Sequence, residues 1–268
     1  MSENRRMEEF IRSDLVSFGG YSASKSTETL EGKTALPVEN IIKLDANENP
    51  YGCSPRISQA LAAYPSMSVY PDNGQMSLRK LLAGYTGIGA EHILAGSGSN
   101  QLIDFILRLF IEPGDEVINC IPTFDLYRFG TEICGGTLVD VPRDKNFAVN
   151  ITAVKAAIGK RTKLIFLANP NNPTGNMAPQ KDILELVDTG IPLLIDEAYC
   201  EFSGETAASL VSQYQNLMVL RTFSKWAGLA GLRVGYGIFP EKITDYLLKI
   251  KTPYNVNVWK PVRQMFSR

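Results

Sequence analysis

The apolar positions along the chain fall into short continuous runs separated by stretches with helical periodicity. Strands are predicted at 116–120, 136–141, 163–168, 191–195 and 217–221, and the segment at 163–168 is the clearest continuous apolar run. Helical spacing of apolar residues occupies the intervening stretches at 54–64, 77–86, 102–110, 151–158 and 179–188. This alternation predicts an α/β fold, with a mostly parallel sheet flanked by helices. Ligands bind to such sheets beyond the carboxyl ends of the strands.

Polar loops rich in turn-forming residues follow several of these runs. The Gly/Ser loop at 96–101 opens the helix at 102–110, and the free amides, helix dipole and hydroxyls of such a helix start suit a phosphate. An amide-rich loop at 169–175 follows one strand, and the acidic segment 196–199 follows the next. Taken singly, each loop is equally typical of a helix cap or a structural turn.

The run at 217–221 leads into a hydroxyl-rich turn that carries Lys225, and Arg233 follows eight residues later. Apolar neighbours on such a turn partly desolvate the lysine. Desolvation lowers the pKa of the amine and makes it a better nucleophile toward a carbonyl. The planar donor fork of an arginine suits a phosphate. The pair therefore indicates a phosphate-bearing aldehyde cofactor, pyridoxal phosphate (PLP), although a lone lysine after a strand is usually a surface residue.

The composition argues against several other classes of protein. A chain of 268 residues with 44% hydrophobic residues can bury a substantial core, and its net charge of -1 gives no reason to expect nucleic acid or an anionic membrane. The four cysteines and the single His92 have no metal-ligand spacing, so we expect no metal site. No apolar run approaches the roughly 18 residues of a membrane span, and the N-terminus lacks the apolar segment of a signal peptide. We therefore expect a cytoplasmic protein.

Five motifs at the ends of successive elements form a more specific set. They are GSGSN, PTF, NPNNPTG, DEAY and a Ser-Lys pair followed by the arginine. Together they resemble the fold-type I PLP-dependent aminotransferases. Three further stretches, KLDANENPYG, YPD and LRTFSKWAGLAGLRVGYGI, are most similar to the histidinol-phosphate aminotransferase family. The resemblance covers residues 40–257 and implies the PLP-binding large domain of that fold.

The resemblance also implies a role for each motif residue. Lys225 would hold PLP as a Schiff base and carry the proton between Cα and C4′, while Asp196 would keep the pyridine nitrogen protonated. Tyr199 and Asn172 would hydrogen-bond the 3′-oxygen, and Phe124 would stack on the ring. The phosphate would be surrounded by Ser99, Asn100, Thr222, Ser224 and Arg233. Asp196 as a helix cap and Phe124 as a core aromatic are the competing interpretations.

A homodimer and a pair of substrates follow from the same resemblance. Tyr70 would reach the cofactor phosphate of the neighbouring subunit, and Asn47 and Tyr51 lie in a loop similar to the family's substrate-side loop. The implied reaction is transamination of L-histidinol phosphate with 2-oxoglutarate in histidine biosynthesis. Two alternatives stay open. One is a related PLP enzyme, such as a threonine-phosphate decarboxylase or an aromatic aminotransferase, and the other is a non-catalytic remnant of the fold.

After residue 257 the chain departs from the family pattern. Family members continue through a long helix into a small C-terminal domain, which supplies arginines that bind the acidic end of the substrates. We therefore expect an N-terminal arm at 1–42, the PLP-binding large domain at 43–252 and a stub of a truncated C-terminal domain at 253–268. Such a truncation would impair turnover and would expose apolar surface on the large domain.

Overall fold

The computed structural model describes residues 6–24, 29, 30, 33 and 36–257 of the chain. Residues 258–268 of the expected C-terminal stub, and part of the expected N-terminal arm, lie outside the described residues. The centre of the fold is a seven-stranded sheet. Its strands are β1 Ile93–Ser97, β2 Glu116–Ile121, β3 Thr137–Pro142, β4 Thr162–Ala168, β5 Leu193–Asp196, β6 Leu217–Thr222 and β7 Val234–Ile238.

The strand order in the sheet is β1-β7-β6-β5-β4-β2-β3. Strand β7 runs antiparallel to both of its neighbours, β1 and β6, and every other neighbouring pair is parallel. Consequently the carboxyl ends of six strands and the amino end of β7 meet at one edge of the sheet, which we call the carboxyl edge. The mostly parallel α/β sheet predicted from the sequence is confirmed.

Helices cover both faces of the sheet. The helices within the described residues are α1 Ser13–Val16, α2 Pro55–Ala62, α3 Met76–Thr86, α4 Ser99–Phe110, α5 Leu126–Ile133, α6 Ile151–Ala157, α7 Gln180–Val187, α8 Cys200–Ser203 and α9 Glu241–Ile250. One buried apolar cluster joins the sheet to α2, α3, α6 and α7, and a second joins it to α4, α5 and α9.

The buried strands supply both clusters because successive side chains point to opposite faces of a sheet. In β4, Ile165 and Leu167 belong to the first cluster, whereas Leu164 and Phe166 belong to the second. This double burial explains why β4 is a nearly continuous apolar run in the sequence. Within the described part of the chain, no helix combines the length and apolar character needed to cross a membrane, and no acidic, histidine and cysteine groups cluster as metal ligands.

Candidate active site

Strand register brings the predicted site residues together at the carboxyl edge. Asp196, the last residue of β5, is paired with Leu220 of β6, and Thr222 ends β6 opposite Gly235 of β7. On the other side of β7, Val234 is paired with Ser97, the last residue of β1. Because β7 runs in the reverse direction, Arg233 immediately before it lies at the same edge as Ser97. The loops that carry Lys225 and the start of α4 therefore meet there.

Lys225 is half-buried in the turn that follows β6. Its Nζ donates a hydrogen bond of 2.7 Å to the backbone carbonyl of Ala46. Burial lowers the pKa of Lys225 below its ordinary value of 10.5. The negative charge of Glu48 opposes this shift by raising the pKa, whereas the positive charge of Arg233 lowers it further. A lysine with a lowered pKa has a larger fraction of neutral, nucleophilic amine at a given pH.

The loop before α2 packs directly against the lysine turn. Asn49 Nδ2 donates to the backbone carbonyls of Lys225 (3.2 Å) and Trp226 (3.0 Å). Gly228 has a φ of 66°, and a Cβ at this position would clash with the carbonyl of Gly52, so the two loops touch through their backbones. The family resemblance predicted that this loop lies on the substrate side of the site. It did not identify Asn49 as the residue that connects the loop to the lysine turn.

Asp196 is 6% exposed at the end of β5. The Tyr127 hydroxyl donates to Asp196 Oδ2 at 2.8 Å, and the Ala198 amide donates to Oδ1 at 3.1 Å. Burial raises the pKa of Asp196, although both hydrogen bonds act to lower it. Both donors are neutral, so a protonated ring nitrogen would be a stronger partner for this carboxylate.

Tyr127 was not among the residues predicted from the sequence. Its fully buried ring stacks on Phe166 with centroids 4.4 Å apart and meets the ring of Phe124 edge-on at 5.7 Å. This packing aims the hydroxyl at Asp196 and leaves Phe124 half-buried beside it. The hydroxyl of a buried tyrosine usually has a hydrogen-bond partner, but the sequence does not reveal which residue that partner is.

A cleft of about 430 Å³ opens beside Tyr199, and Lys225 Nζ lies 6.0 Å from the centre of the Tyr199 ring. Asn47 Nδ2 donates to the Tyr199 hydroxyl at 2.9 Å, which joins the loop before α2 to the segment that follows β5. Burial raises the pKa of Tyr199, so its phenol stays protonated at neutral pH and remains able to donate. The lining residues include Asn47, Asn171, Asn172, Met177, Tyr199 and Phe202.

The start of α4 forms the opposite side of the candidate site. Gly98 precedes the helix with a φ of 77°, and no side chain among the described residues caps the helix start. A Cβ at Gly98 would clash with the guanidinium of Arg233, and a Cβ at Gly235 would clash with the backbone amide of Ser99. The two glycines thus let Arg233 and β7 approach the helix start closely, beside Ser99 and Asn100.

Two further hydroxyls lie next to β7. The Ser224 amide donates to Thr222 Oγ1 at 3.1 Å, and this oxygen is 3.0 Å from Ser224 Oγ. Both residues are buried, at 4% and 8% exposure respectively. An open helix start, a guanidinium beside it and nearby hydroxyls are groups that suit a phosphate, so these residues fit the phosphate of PLP. Thr222 Oγ1 also donates to the Val234 carbonyl at 3.1 Å, a bond that would have to change for this hydroxyl to donate to a phosphate.

Comparison with known proteins identifies the family. The family described as aminotransferase class I and II matches residues 39–265. A histidinol-phosphate aminotransferase from Dehalococcoides mccartyi is 54% identical over 252 residues, which are 94% of this chain and 69% of that protein. The chain belongs to the histidinol-phosphate aminotransferase family.

Two more members of this family show how far the similarity extends. The chloroplastic histidinol-phosphate aminotransferase of Nicotiana tabacum is 43% identical over 93% of this chain and 61% of its own length. Among solved structures, the histidinol-phosphate aminotransferase from Sinorhizobium meliloti in complex with pyridoxal-5′-phosphate has a TM-score of 0.78 and 26% identity, covering 91% of this chain and 69% of that one. The family is PLP-dependent, and the chain is thus a PLP-dependent aminotransferase by membership.

Two of the predicted site residues have largely exposed side chains. Tyr70 is 77% exposed, and its ring stacks on Tyr254 with centroids 4.5 Å apart. The side chain of Tyr51 is 95% exposed, while its backbone amide donates to Asn49 Oδ1 at 3.0 Å. A single chain of this aminotransferase therefore presents both tyrosines to its surroundings.

Proposed function

We propose that this chain uses PLP to transfer the amino group of L-histidinol phosphate to 2-oxoglutarate. The main support is the meeting of a half-buried lysine with a lowered pKa, Lys225, and a buried aspartate, Asp196, at the carboxyl edge. The relatives that are named for the same substrate and cover 94% of the chain support the choice of amino donor. All seven strands lie within residues 43–252, which we propose as the PLP-binding domain.

Lys225 is the proposed covalent anchor and proton carrier. PLP, when bound, supplies an aldehyde that bonds to amines and a ring that accepts electrons from the substrate carbon. Lys225 would bond to that aldehyde, give way to the substrate amine and then move the proton at the substrate Cα. Its Nζ must leave the Ala46 carbonyl to do so, and a lowered pKa favours the neutral amine that both steps require.

The groups around the ring would have separate tasks. Asp196, oriented by Tyr127 and Ala198, would hold the protonated pyridine nitrogen. Tyr199 and Asn172 would donate to the 3′-oxygen, and a raised pKa of Tyr199 supports a protonated phenol in this role. Phe124 would pack against the ring face. The proposed phosphate ligands are Ser99, Asn100, Thr222, Ser224 and Arg233.

The substrate side and the dimer complete the proposal. Asn47 and Tyr51 would contact the substrate, and Asn47 already bonds to Tyr199 at the cleft. Tyr70 would reach the cofactor phosphate of a second copy of this chain, consistent with its outward position. A homodimer would then be the functional unit, because each site would lack one phosphate donor in a monomer.

An absorbance spectrum tests this proposal. PLP should give the band of a lysine-bound cofactor with the native chain and no such band with Lys225→Ala. Added L-histidinol phosphate should convert the band to that of the amine form of the cofactor, and 2-oxoglutarate should restore it. O-phospho-L-threonine is the control for the decarboxylase alternative, and it should release no carbon dioxide.

Each outcome decides a part of the proposal. A chain that never gives the band has no functional PLP site, which overturns the proposal entirely. A band that appears but ignores L-histidinol phosphate overturns the assignment of the amino donor. Carbon dioxide from O-phospho-L-threonine would move the chain to the decarboxylases. A full cycle of conversion and restoration would support the donor and the acceptor together.

A further inference from the structure

Among the residues that the structure describes, no strand pairs with the outer side of β1, which is the first strand of the sheet. Side-chain amides take the place of a strand there. Gln75 Oε1 accepts from the Ala95 amide at 2.9 Å, and Gln75 Nε2 donates to the Ala95 carbonyl at 3.0 Å. Asn255 Nδ2 donates to the same carbonyl at 3.2 Å, and Gln101 Oε1 accepts from the Ser97 amide at 2.8 Å.

These three side chains also bond to one another. Gln75 Nε2 donates to Asn255 Oδ1 at 2.8 Å, and Asn255 Nδ2 donates to Gln101 Oε1 at 2.9 Å. We call Gln75, Asn255 and Gln101 the amide chain. Gln75 is 3% exposed and has a φ of 57°, a strained conformation for a residue other than glycine that persists only where its surroundings enforce it.

The amide chain contacts the residues on both sides of segment 98–100, which we call the phosphate loop because it carries the proposed phosphate ligands Ser99 and Asn100. Ser97, whose amide it holds, is the residue before Gly98, and Gln101 lies in the first turn of α4. We propose that Asn255 is a positioning residue for the cofactor phosphate, because it fixes Gln101 and β1 relative to each other and thereby fixes the loop between them. This inference rests on the proposed assignment of that loop to the phosphate of PLP.

Removing Asn255 should therefore weaken binding of the phosphate in particular. Asn255→Ala deletes two donated hydrogen bonds and one accepted one. We expect the dissociation constant for PLP to rise about tenfold, equivalent to ~1.4 kcal/mol, whereas that for pyridoxal, which has no phosphate, should stay within about twofold. Gln101→Met, which removes the acceptor for Ser97 and Asn255, should shift the same ratio in the same direction.

A matched control is available at the amino ends of the parallel strands, opposite the carboxyl edge. Asn216 Nδ2 donates to the backbone carbonyls of Val187 (2.8 Å) and Ile191 (3.1 Å), and Asn216 precedes β6 at its amino end. Asn216→Ala thus removes the same kind of hydrogen bond at a site far from the carboxyl edge. We expect it to lower the midpoint temperature of unfolding without changing either dissociation constant.

The test is an absorbance titration of the native chain, Asn255→Ala, Gln101→Met and Asn216→Ala with PLP and with pyridoxal. A native chain that binds no PLP would overturn the proposed function and the inference with it. A native chain that binds PLP, with Asn255→Ala losing PLP and pyridoxal equally or losing neither, would overturn the inference alone. If Asn255→Ala does not fold, an unchanged ratio in Gln101→Met overturns it.

Discussion

The ion pair between Arg221 and Glu197 is the contact whose loss we expect to destabilise the fold most. Arg221 Nε lies 3.0 Å from Glu197 Oε2, and the two side chains are 10% and 1% exposed. Thr206 and Ala207 also donate to the carboxylate, at 2.7 Å and 2.6 Å. Glu197 follows Asp196, and Arg221 precedes Thr222, so the pair links β5 to β6 next to the candidate site.

The expected magnitude follows from this burial. Arg221→Met leaves the Glu197 carboxylate buried with two neutral donors, and breaking a buried pair in this way costs about 3–5 kcal/mol. At about 2–4 °C per kcal/mol for a domain of this size, the midpoint of thermal unfolding should fall by roughly 6–20 °C. Arg221→Lys keeps a charge near Glu197 but loses the bonds to Thr206 and Tyr236, so about 1–3 kcal/mol should be lost.

Thermal unfolding followed by circular dichroism, at one protein concentration and without cofactor, measures both variants. Arg108→Met is the control, because the Arg108–Asp104 pair is 62% and 39% exposed and should contribute only about 0.3–0.5 kcal/mol. The double variant Glu197→Gln with Arg221→Met should lose less than the sum of its two single variants, since neither charge remains unpaired. A midpoint for Arg221→Met equal to that of Arg108→Met would refute the reasoning.

Three further predictions concern the candidate site. Because burial lowers the pKa of Lys225, the rate of covalent PLP attachment should have a pH midpoint below 10.5, and a midpoint at or above that value would contradict it. Tyr127→Phe removes the donor to Asp196 and should reduce kcat/KM about tenfold to hundredfold, the effect of losing a hydrogen bond to a charged group; unchanged kinetics would exclude an orienting role. Asn49→Ala, which frees the carbonyls of Lys225 and Trp226, should lower the free energy of unfolding by about 1–2 kcal/mol in urea titration, and no loss would show that the two loops pack independently.

The elements that the sequence predicted best are those whose side chains are buried most completely. Strands β4, β5 and β6 are buried along nearly their whole length, so their continuous apolar runs were sufficient to identify them. Strand β7, with two glycines in five residues, has weak strand propensity and was not predicted as a strand. Helix α9 was also missed, although the spacing of Ile243, Leu247 and Ile250 would have indicated it.

The site could be predicted only where a motif carries its own chemistry. Lys225 and Asp196 belong to such motifs, and the structure brings both to the carboxyl edge. The residues that orient them come from distant parts of the chain: Tyr127 is 69 positions from Asp196, and Asn49 is 176 positions from Lys225. Which polar side chain meets which backbone group at such separations is decided by the packing of the whole sheet, and no local pattern encodes it.

The reversed direction of β7 is what allows one short segment to supply both Lys225 and Arg233. A parallel connection from β6 would need a crossover of roughly a dozen residues or more, and its return strand would begin at the opposite edge. The antiparallel turn instead starts β7 at the carboxyl edge, so that Arg233 arrives against Gly98 at the start of α4. Gly235 then has to lack a side chain, because β7 touches the amide of Ser99. The topology of the sheet thus brings Lys225 and Arg233, which are eight residues apart in the sequence, to the same edge.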